Sequence, residues 1–252
     1  MATSIDELIE IFWQERQRGR YFPPDWFDKL TLDQAYRIQF GLIDRRCAAG
    51  ERQIGWKVGL TAPAIQQQFG FHEPVFGCVL DSKLSGHVFA PADLIAPGFE
   101  NELCMRLGAD LSGTVSLEEA RRAVAVVHPS LEIIETRGPL SEQIALAMAD
   151  NAQQKTVILG EPVPLPDNRV AIEARVSING QLVATGTGDA VLGDPLHSVV
   201  WLAAKLGQYG RQLKAGEIVM TGSFTRQFPI APGDMIETVF SDIGSVGTAM
   251  SR

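Results

Sequence analysis

The sequence contains no apolar run approaching the roughly 18 residues of a membrane-spanning helix. It has few cysteines: Cys47, Cys78 and Cys104 show no metal-type spacing, and an odd count points to a reducing compartment rather than a disulfide framework. It has no cationic excess. Lys and Arg number 22 against 30 Asp and Glu, a net charge of −8. That balance argues against nucleic acid or an anionic membrane surface as the main partner. The four histidines, His72, His87, His128 and His197, are scattered without the paired spacing of a zinc site. Internal repeats and low-complexity tracts are missing as well. The opening "MATSIDELIEIFWQERQRGR" reads as an amphipathic helix, acidic then basic, and not as a signal peptide. A cytoplasmic protein is expected.

What is present suits a globular enzyme. Hydrophobic residues make up 45% of 252, enough for one large domain or a domain with an appendage. Residues 1–50 read as helical. Ser4 with Glu7 and Thr31 with Gln34 are capping boxes, "YFPPDWF" separates the two helices, and Gly50 stops the second. From residue 51 to 252 the pattern favours strands with inserted helices. "RQIGWKVGL", "GFENELCMRLG" and "PSLEIIETR" read as strands, and Asn179-Gly180 as a hairpin turn. "GEIVMTGS", "DMIETVFS" and "VGTAMS" read as further strands. Helices are expected over "TAPAIQQQFG", over "VSLEEARRAVAVVH" with a capping box at Ser116 and Glu119, over "SEQIALAMADNAQQ" capped by Ser141, and after Pro195. Helices and strands alternate too irregularly for a doubly wound sheet, so an α+β body with a mixed or rolled sheet is expected.

Glu100 and Glu102 in "FENELCMRL" sit two apart in a strand-like run, and a strand puts i and i+2 on one face. Glu132 in "PSLEII" lies between Leu131 and Ile133. Carboxylates in such apolar settings are rarely buried unpaired. Three readings stand. The strand face is solvated; or Arg106 and Arg137 neutralise the carboxylates; or the three hold a hard divalent cation such as Mg²⁺. Lys57, inside the apolar "GWKVGLT", needs an anionic neighbour, either a structural one such as Asp81 or a bound acid group. Gly55 and Gly59 would let a ligand approach the backbone. "TGTGDAVLG" lacks the spacing of a phosphate loop, and "TGSFT" lacks the context of a nucleophilic serine, leaving Ser223 as a hydrogen-bond donor.

Taken in order, "GWKVGLTAPAIQQQFG", "EPVFGCVLDS", "FENEL", "PSLEIIETR", "ADNA" and "VMTGSFTRQFPIAPGD" resemble the 2-keto-4-pentenoate hydratase and 4-oxalocrotonate decarboxylase group of the fumarylacetoacetate hydrolase superfamily. The resemblance spans nearly the whole chain. It implies a mixed β-roll core with an N-terminal helical part. It also implies a Mg²⁺ or Mn²⁺ ion held by Glu100, Glu102 and Glu132, with Lys57 and Asp81 catalytic and Leu60, Gly222 and Ser223 binding substrate. The implied substrate is a small 2-keto acid and the implied assembly a homo-oligomer; decarboxylases of the group are similar in associating with their hydratases, which implies a pathway-neighbour enzyme as a further partner. The expected reaction is hydration of 2-hydroxypenta-2,4-dienoate to 4-hydroxy-2-oxopentanoate in aromatic meta-cleavage catabolism. The alternatives are decarboxylation of 4-oxalocrotonate, with Arg226 or Lys83 holding the distal carboxylate, hydration of a longer 2-oxo-dienedioate, or a non-catalytic assembly subunit. The chain departs from the group at Lys83, Asn101, Gln153 and Gln154, and Gln153 bears on the pocket. Superfamily hydrolases are similar in using a His–Glu pair on a short helix; His72-Glu73 with Pro74 behind it reads instead as a loop pair.

Overall fold

The computed structural model describes residues 3–68 and 70–252, with the side chains of Ala64, Ile65 and Gln68 left outside the description. Two helices lead: α1 (Ile5–Gln17) and α2 (Leu32–Ala48), each opened by its capping box. Then follow β1 (Gly55–Gly59), α3 (Pro63–Gln68), β2 (Val75–Val79), β3 (Ser82–Leu84), β4 (Val88–Phe89) and β5 (Pro97–Leu107). Phe69 of the "QQQFG" stretch lies outside the described residues. The middle holds α4 (Leu117–Ala123), β6 (Val124–Glu135), α5 (Ile144–Ala149) and β7 (Gln154–Leu159). The last part holds β8 (Glu173–Ile178), β9 (Gln181–Thr187), α6 (Leu196–Gly207), β10 (Ile218–Ser223), β11 (Phe228–Pro229), β12 (Met235–Phe240) and β13 (Gly244–Met250). None of the described helices is long and apolar enough to cross a membrane.

Among the described residues the strands form two sheets. The larger runs β2-β1-β10-β5-β6-β7-β3, with β11 paired to β5, and the smaller runs β4-β13-β12-β8-β9. The larger sheet mixes parallel pairs (β1 with β10, β3 with β7) and antiparallel ones, and it curls into a half-barrel. The fold is α+β, as the irregular alternation of elements implied. One face of this sheet carries Trp56, Phe76 and Leu103 into the main core beneath α2 and α6. Tyr36 of α2 stacks on Phe76 at 4.1 Å between ring centroids. Gln39, fully buried, donates from Nε2 to the Met148 carbonyl at 2.7 Å and so ties α2 to α5. The opposite face is floored by a smaller apolar cluster that includes Val79, Cys104, Val157 and Met220.

Two expected elements differ. The helix over 115–128 ends at Ala123, and Val124–Val127 open β6 instead. The β-branched Val124, Val126 and Val127 fit a pleated surface, and the ladder to β5 (Val127 against Met105, Val126 against Arg106) outweighs the helical pattern. The helix after Ser141 starts at Ile144 without a side-chain cap. Gln143, at its cap position, is engaged with Asp28 instead, through Asp28 N–H to Oε1 and Nε2 to Oδ1, both 3.0 Å.

Candidate metal centre

Strand register brings the three glutamates to one place. Glu100 of β5 stands directly opposite Glu132 of β6, and Glu102 follows two residues on, on the same face. Lys57 reaches that face by a chain of cross-strand partners: Lys57 opposite Met220, Met220 opposite Cys104, and Cys104 two residues from Glu102. Ligand atoms of Glu100, Glu102 and Glu132 lie within 4.8 Å of one another. Glu102 and Glu132 are fully buried. The Lys57 ammonium stands 3.4 Å from Glu132 Oε2.

The electrostatics follow from burial. Desolvation pushes all three carboxyls above their ordinary range, Glu132 to about 7 even with Lys57 beside it. Glu102 is raised well above its ordinary range, by burial and then by the neighbouring Glu132 and Glu100 charges, against the Gly222 N–H. Burial works to lower Lys57, but Glu132, Glu100 and Glu102 outweigh it and raise the ammonium. Three carboxylates and one cation leave an excess of negative charge. Glu102 Oε1 and both oxygens of Glu132 are buried with no hydrogen-bond partner among the described residues. Hard oxygen donors, converging and unsatisfied, fit Mg²⁺ or Mn²⁺.

A bulge in β10 completes the cluster. The register shifts between Met220 and Ser223, and Gly222 inside the shift has φ +111°. This turns its N–H out of the ladder and onto Glu102 Oε2 at 2.8 Å. Ser198 of α6 donates to the Thr221 carbonyl at 2.6 Å, and Thr221 Oγ1 donates to the Leu103 carbonyl at 2.9 Å, which pins the bulge from both sides. Gly222 is needed here for conformation and for space, since a Cβ would stand 2.5 Å from Thr61 Oγ1. Gly222→Ala is therefore expected to move the amide off Glu102 and weaken Mg²⁺ binding about 10–100-fold, as loss of an outer-shell partner does. Titration calorimetry with Mg²⁺ checks this, and an unchanged Kd would remove the bulge from the argument.

A cavity of about 260 Å³ opens beside the cluster and is lined by Lys57, Leu60, Glu100 and Ser223. Leu60 turns into it with φ +53°. Of the residues expected from the sequence, these four and the buried Glu102, Glu132 and Gly222 come together. Asp81 does not. β1 and β2 run antiparallel, so Lys57 faces Gly77, and Asp81 lies beyond the far end of β2. There its exposed carboxylate pairs with Lys83 at 2.7 Å. Arg106 and Arg137 also lie apart from the glutamates: Arg106 donates to the Gly216 carbonyl, and Arg137 pairs with Glu135 and Asp150. Glu73 pairs with Lys205 at 2.6 Å and His72 is exposed, so this pair does not line the cavity.

The turn that carries Gln153, which the resemblance had already tied to the pocket, escaped pattern reading. Asn151, Ala152 and Gln153 hold three successive left-handed conformations, φ 57°, 49° and 59°. The Asn151 side chain clamps Cys78, accepting from its N–H at 2.7 Å and donating to its carbonyl at 2.8 Å. Asp150 is held by Arg137 at 2.5 Å and Arg16 at 3.1 Å. The turn thereby presents Ala152 and Gln153 to the cavity. Asn in "ADNA" signals tolerance of left-handed backbone, but the two residues after it carry no such signal.

A half-barrel sheet with an acidic triad, two of its members fully buried, and a lysine on the same face places the chain in a known class. Residues 71–250 match the model for the fumarylacetoacetate (FAA) hydrolase C-terminal domain, and the chain belongs to that family. Within it, the chain falls in the group of lyases that holds 2-keto-4-pentenoate hydratases and 4-oxalocrotonate decarboxylases. It is 34% identical to 2-keto-4-pentenoate hydratase of Paraburkholderia xenovorans LB400, over 96% of this chain and 93% of that one. It is 34% identical to 4-oxalocrotonate decarboxylase of Pseudomonas putida, over 87% and 86%. Among solved structures, 4-oxalocrotonate decarboxylase from Pseudomonas putida G7, complexed with magnesium and adipate, superposes with a TM-score of 0.92 at 29% identity, over 99% of this chain and 100% of that one.

Proposed function

We propose that the protein is a divalent-metal-dependent hydratase that adds water to 2-hydroxypenta-2,4-dienoate, giving 4-hydroxy-2-oxopentanoate. The observation that carries this reading is the convergence of Glu100, Glu102, Glu132 and Lys57 on one small cavity. Glu100, Glu102 and Glu132 would hold Mg²⁺ or Mn²⁺. When bound, the ion supplies a Lewis acid for the carboxylate and C2 oxygen of a keto acid. Lys57 provides the positive hydrogen-bond donor where charge develops on the C2 oxygen, in a setting with little water to screen it. Ser223, whose hydroxyl donates at 3.3 Å to the Asn101 carbonyl, lines the same cavity. The reading includes a homo-oligomer working in the cytoplasm.

Decarboxylation of 4-oxalocrotonate is the second reading, favoured by the near-complete superposition on a decarboxylase of that name. Both reactions place charge on the same C2 oxygen, so one head site serves either. Incubation of the purified protein with Mg²⁺ and each substrate separates them, following dienol absorbance and CO₂ release. Hydration of the pentadienoate without CO₂ is expected. CO₂ from 4-oxalocrotonate with no hydration would replace the first reading by the second, and turnover of neither would remove both.

A further inference from the structure

The Lys57 ammonium ends a flexible four-carbon stem, so its own strand does not fix where it stands. What packs beside that stem does. β1 has β10 on one side and β2 on the other, and Lys57 faces Gly77 of β2. A Cβ on Gly77 would lie 3.4 Å from Lys57 Cγ, 3.0 Å from the Asn151 carbonyl oxygen and 3.2 Å from Asn151 Oδ1. The absent side chain leaves a notch that the lysine stem and Asn151 border from two sides. We propose that Asn151 is a positioning residue: seated at this notch, it sets where the Lys57 ammonium stands. The inference rests on the reading above, in which Lys57 serves the C2 oxygen of a keto acid.

Three observations carry it. First, Asn151 fastens β2 at the level of Lys57. β2 ends the larger sheet, so among the described residues no strand flanks its outer edge. The Asn151 amide takes that place at Cys78, accepting from its N–H at 2.7 Å and donating to its carbonyl at 2.8 Å. Two such bonds side by side copy the exchange of a closely spaced antiparallel pair. Second, Asn151 is itself held on both sides along the chain. Asp150 before it is bound by Arg137 at 2.5 Å and Arg16 at 3.1 Å, and Gln153 after it donates to the Gly138 carbonyl at 3.1 Å. Its φ of +57° is one that asparagine tolerates better than most residues. Third, the ion pair does not fix the ammonium. Its 3.4 Å to Glu132 Oε2 exceeds the about 2.7–2.9 Å of a charge-assisted hydrogen bond, so the packing of the stem decides its place. A donor to a developing oxyanion acts through placement, and a displacement of about 1 Å costs about 10²-fold in rate.

A double-mutant cycle with Lys57→Met tests this on the full-length, Mg²⁺-loaded protein, read on whichever of the two reactions the unmodified protein catalyses. Asn151→Gly removes both side-chain bonds to Cys78 and keeps a backbone free to stay left-handed. It is expected to lower kcat about 10–100-fold, with KM changed less than about twofold, because the group it places acts in the transition state. The Mg²⁺ Kd, from titration calorimetry, should stay within about twofold. In the Lys57→Met background the same substitution should lower kcat less than about twofold, since the group it positions is gone. Gly77→Ala, which fills the notch from β2, should repeat this pattern, and it carries the cycle if Asn151→Gly does not fold. A kcat loss kept in full in the Lys57→Met background overturns the proposal and leaves Asn151 a structural residue. An unchanged kcat in both single variants overturns it as well. Turnover of neither substrate by the unmodified protein instead overturns the keto-acid reading, and the proposal falls with it.

Discussion

Glu102→Gln is expected to abolish Mg²⁺-dependent turnover, lowering kcat/KM by about a thousandfold or more. Lewis-acid stabilisation of a developing oxyanion amounts to several kcal/mol, and each 1.4 kcal/mol is tenfold in rate. The substitution is sterically mild. Gln keeps an oxygen to accept the Gly222 N–H and fills the same fully buried volume. What it loses is one of three negative charges and the donor strength of a carboxylate. The metal-free protein should therefore gain stability, because the repulsion that helps raise Glu102 is relieved. Calorimetric titration and thermal unfolding with and without Mg²⁺ check both halves. A variant with an unaltered Mg²⁺ requirement would refute the metal role of this residue.

Lys57→Met is expected to act in the opposite sense on stability. Methionine retains most of the apolar stem but not the ammonium, so Glu132 loses its cation 3.4 Å away inside the sheet. Breaking one partner out of a buried pair costs about 3–5 kcal/mol. Unfolding of the metal-free variant should thus shift down by that amount, and Mg²⁺ should restore more stability than it adds to the unmodified protein. Activity should fall about 10²–10³-fold even with metal saturating, the usual loss when a donor to a developing oxyanion is removed. Full activity would dismiss Lys57 from the chemistry, and an unchanged melting temperature without metal would dismiss it as the counter-ion.

Much of this was legible in the sequence because the signals are local. The capping boxes at Ser4, Thr31 and Ser116 all form, since each needs only two residues three apart. The Asn179-Gly180 turn has positive φ at both residues, as a tight hairpin requires. Glu100 and Glu102 could be placed on one face from period two alone. That Glu132 stands opposite Glu100 depends on the pairing of β5 with β6 across a loop and a short helix, which spacing does not encode. The same limit explains Asp81. Its distance from Lys57 follows from the antiparallel direction of β2, a long-range fact. Val124–Val127 failed for a related reason: a helix pattern and a strand pattern overlap in a short apolar run, and the partner strand decides.

The pinned turn at Asn151–Gln153 has a consequence for how such an enzyme can change over time. The groups that fix its backbone, Asp150, Asn151, Arg16 and Arg137, lie behind it, while Ala152 and Gln153 alone meet the cavity. The charged head, meanwhile, is built on β1, β5 and β6. The acid cluster and the pinned turn thus reside on separate pieces of chain, each with its own supports. Replacing Gln153, or a residue of α5, changes the cavity wall without touching the three glutamates. A scaffold divided this way can reshape its cavity by single substitutions while its acid triad stays constant.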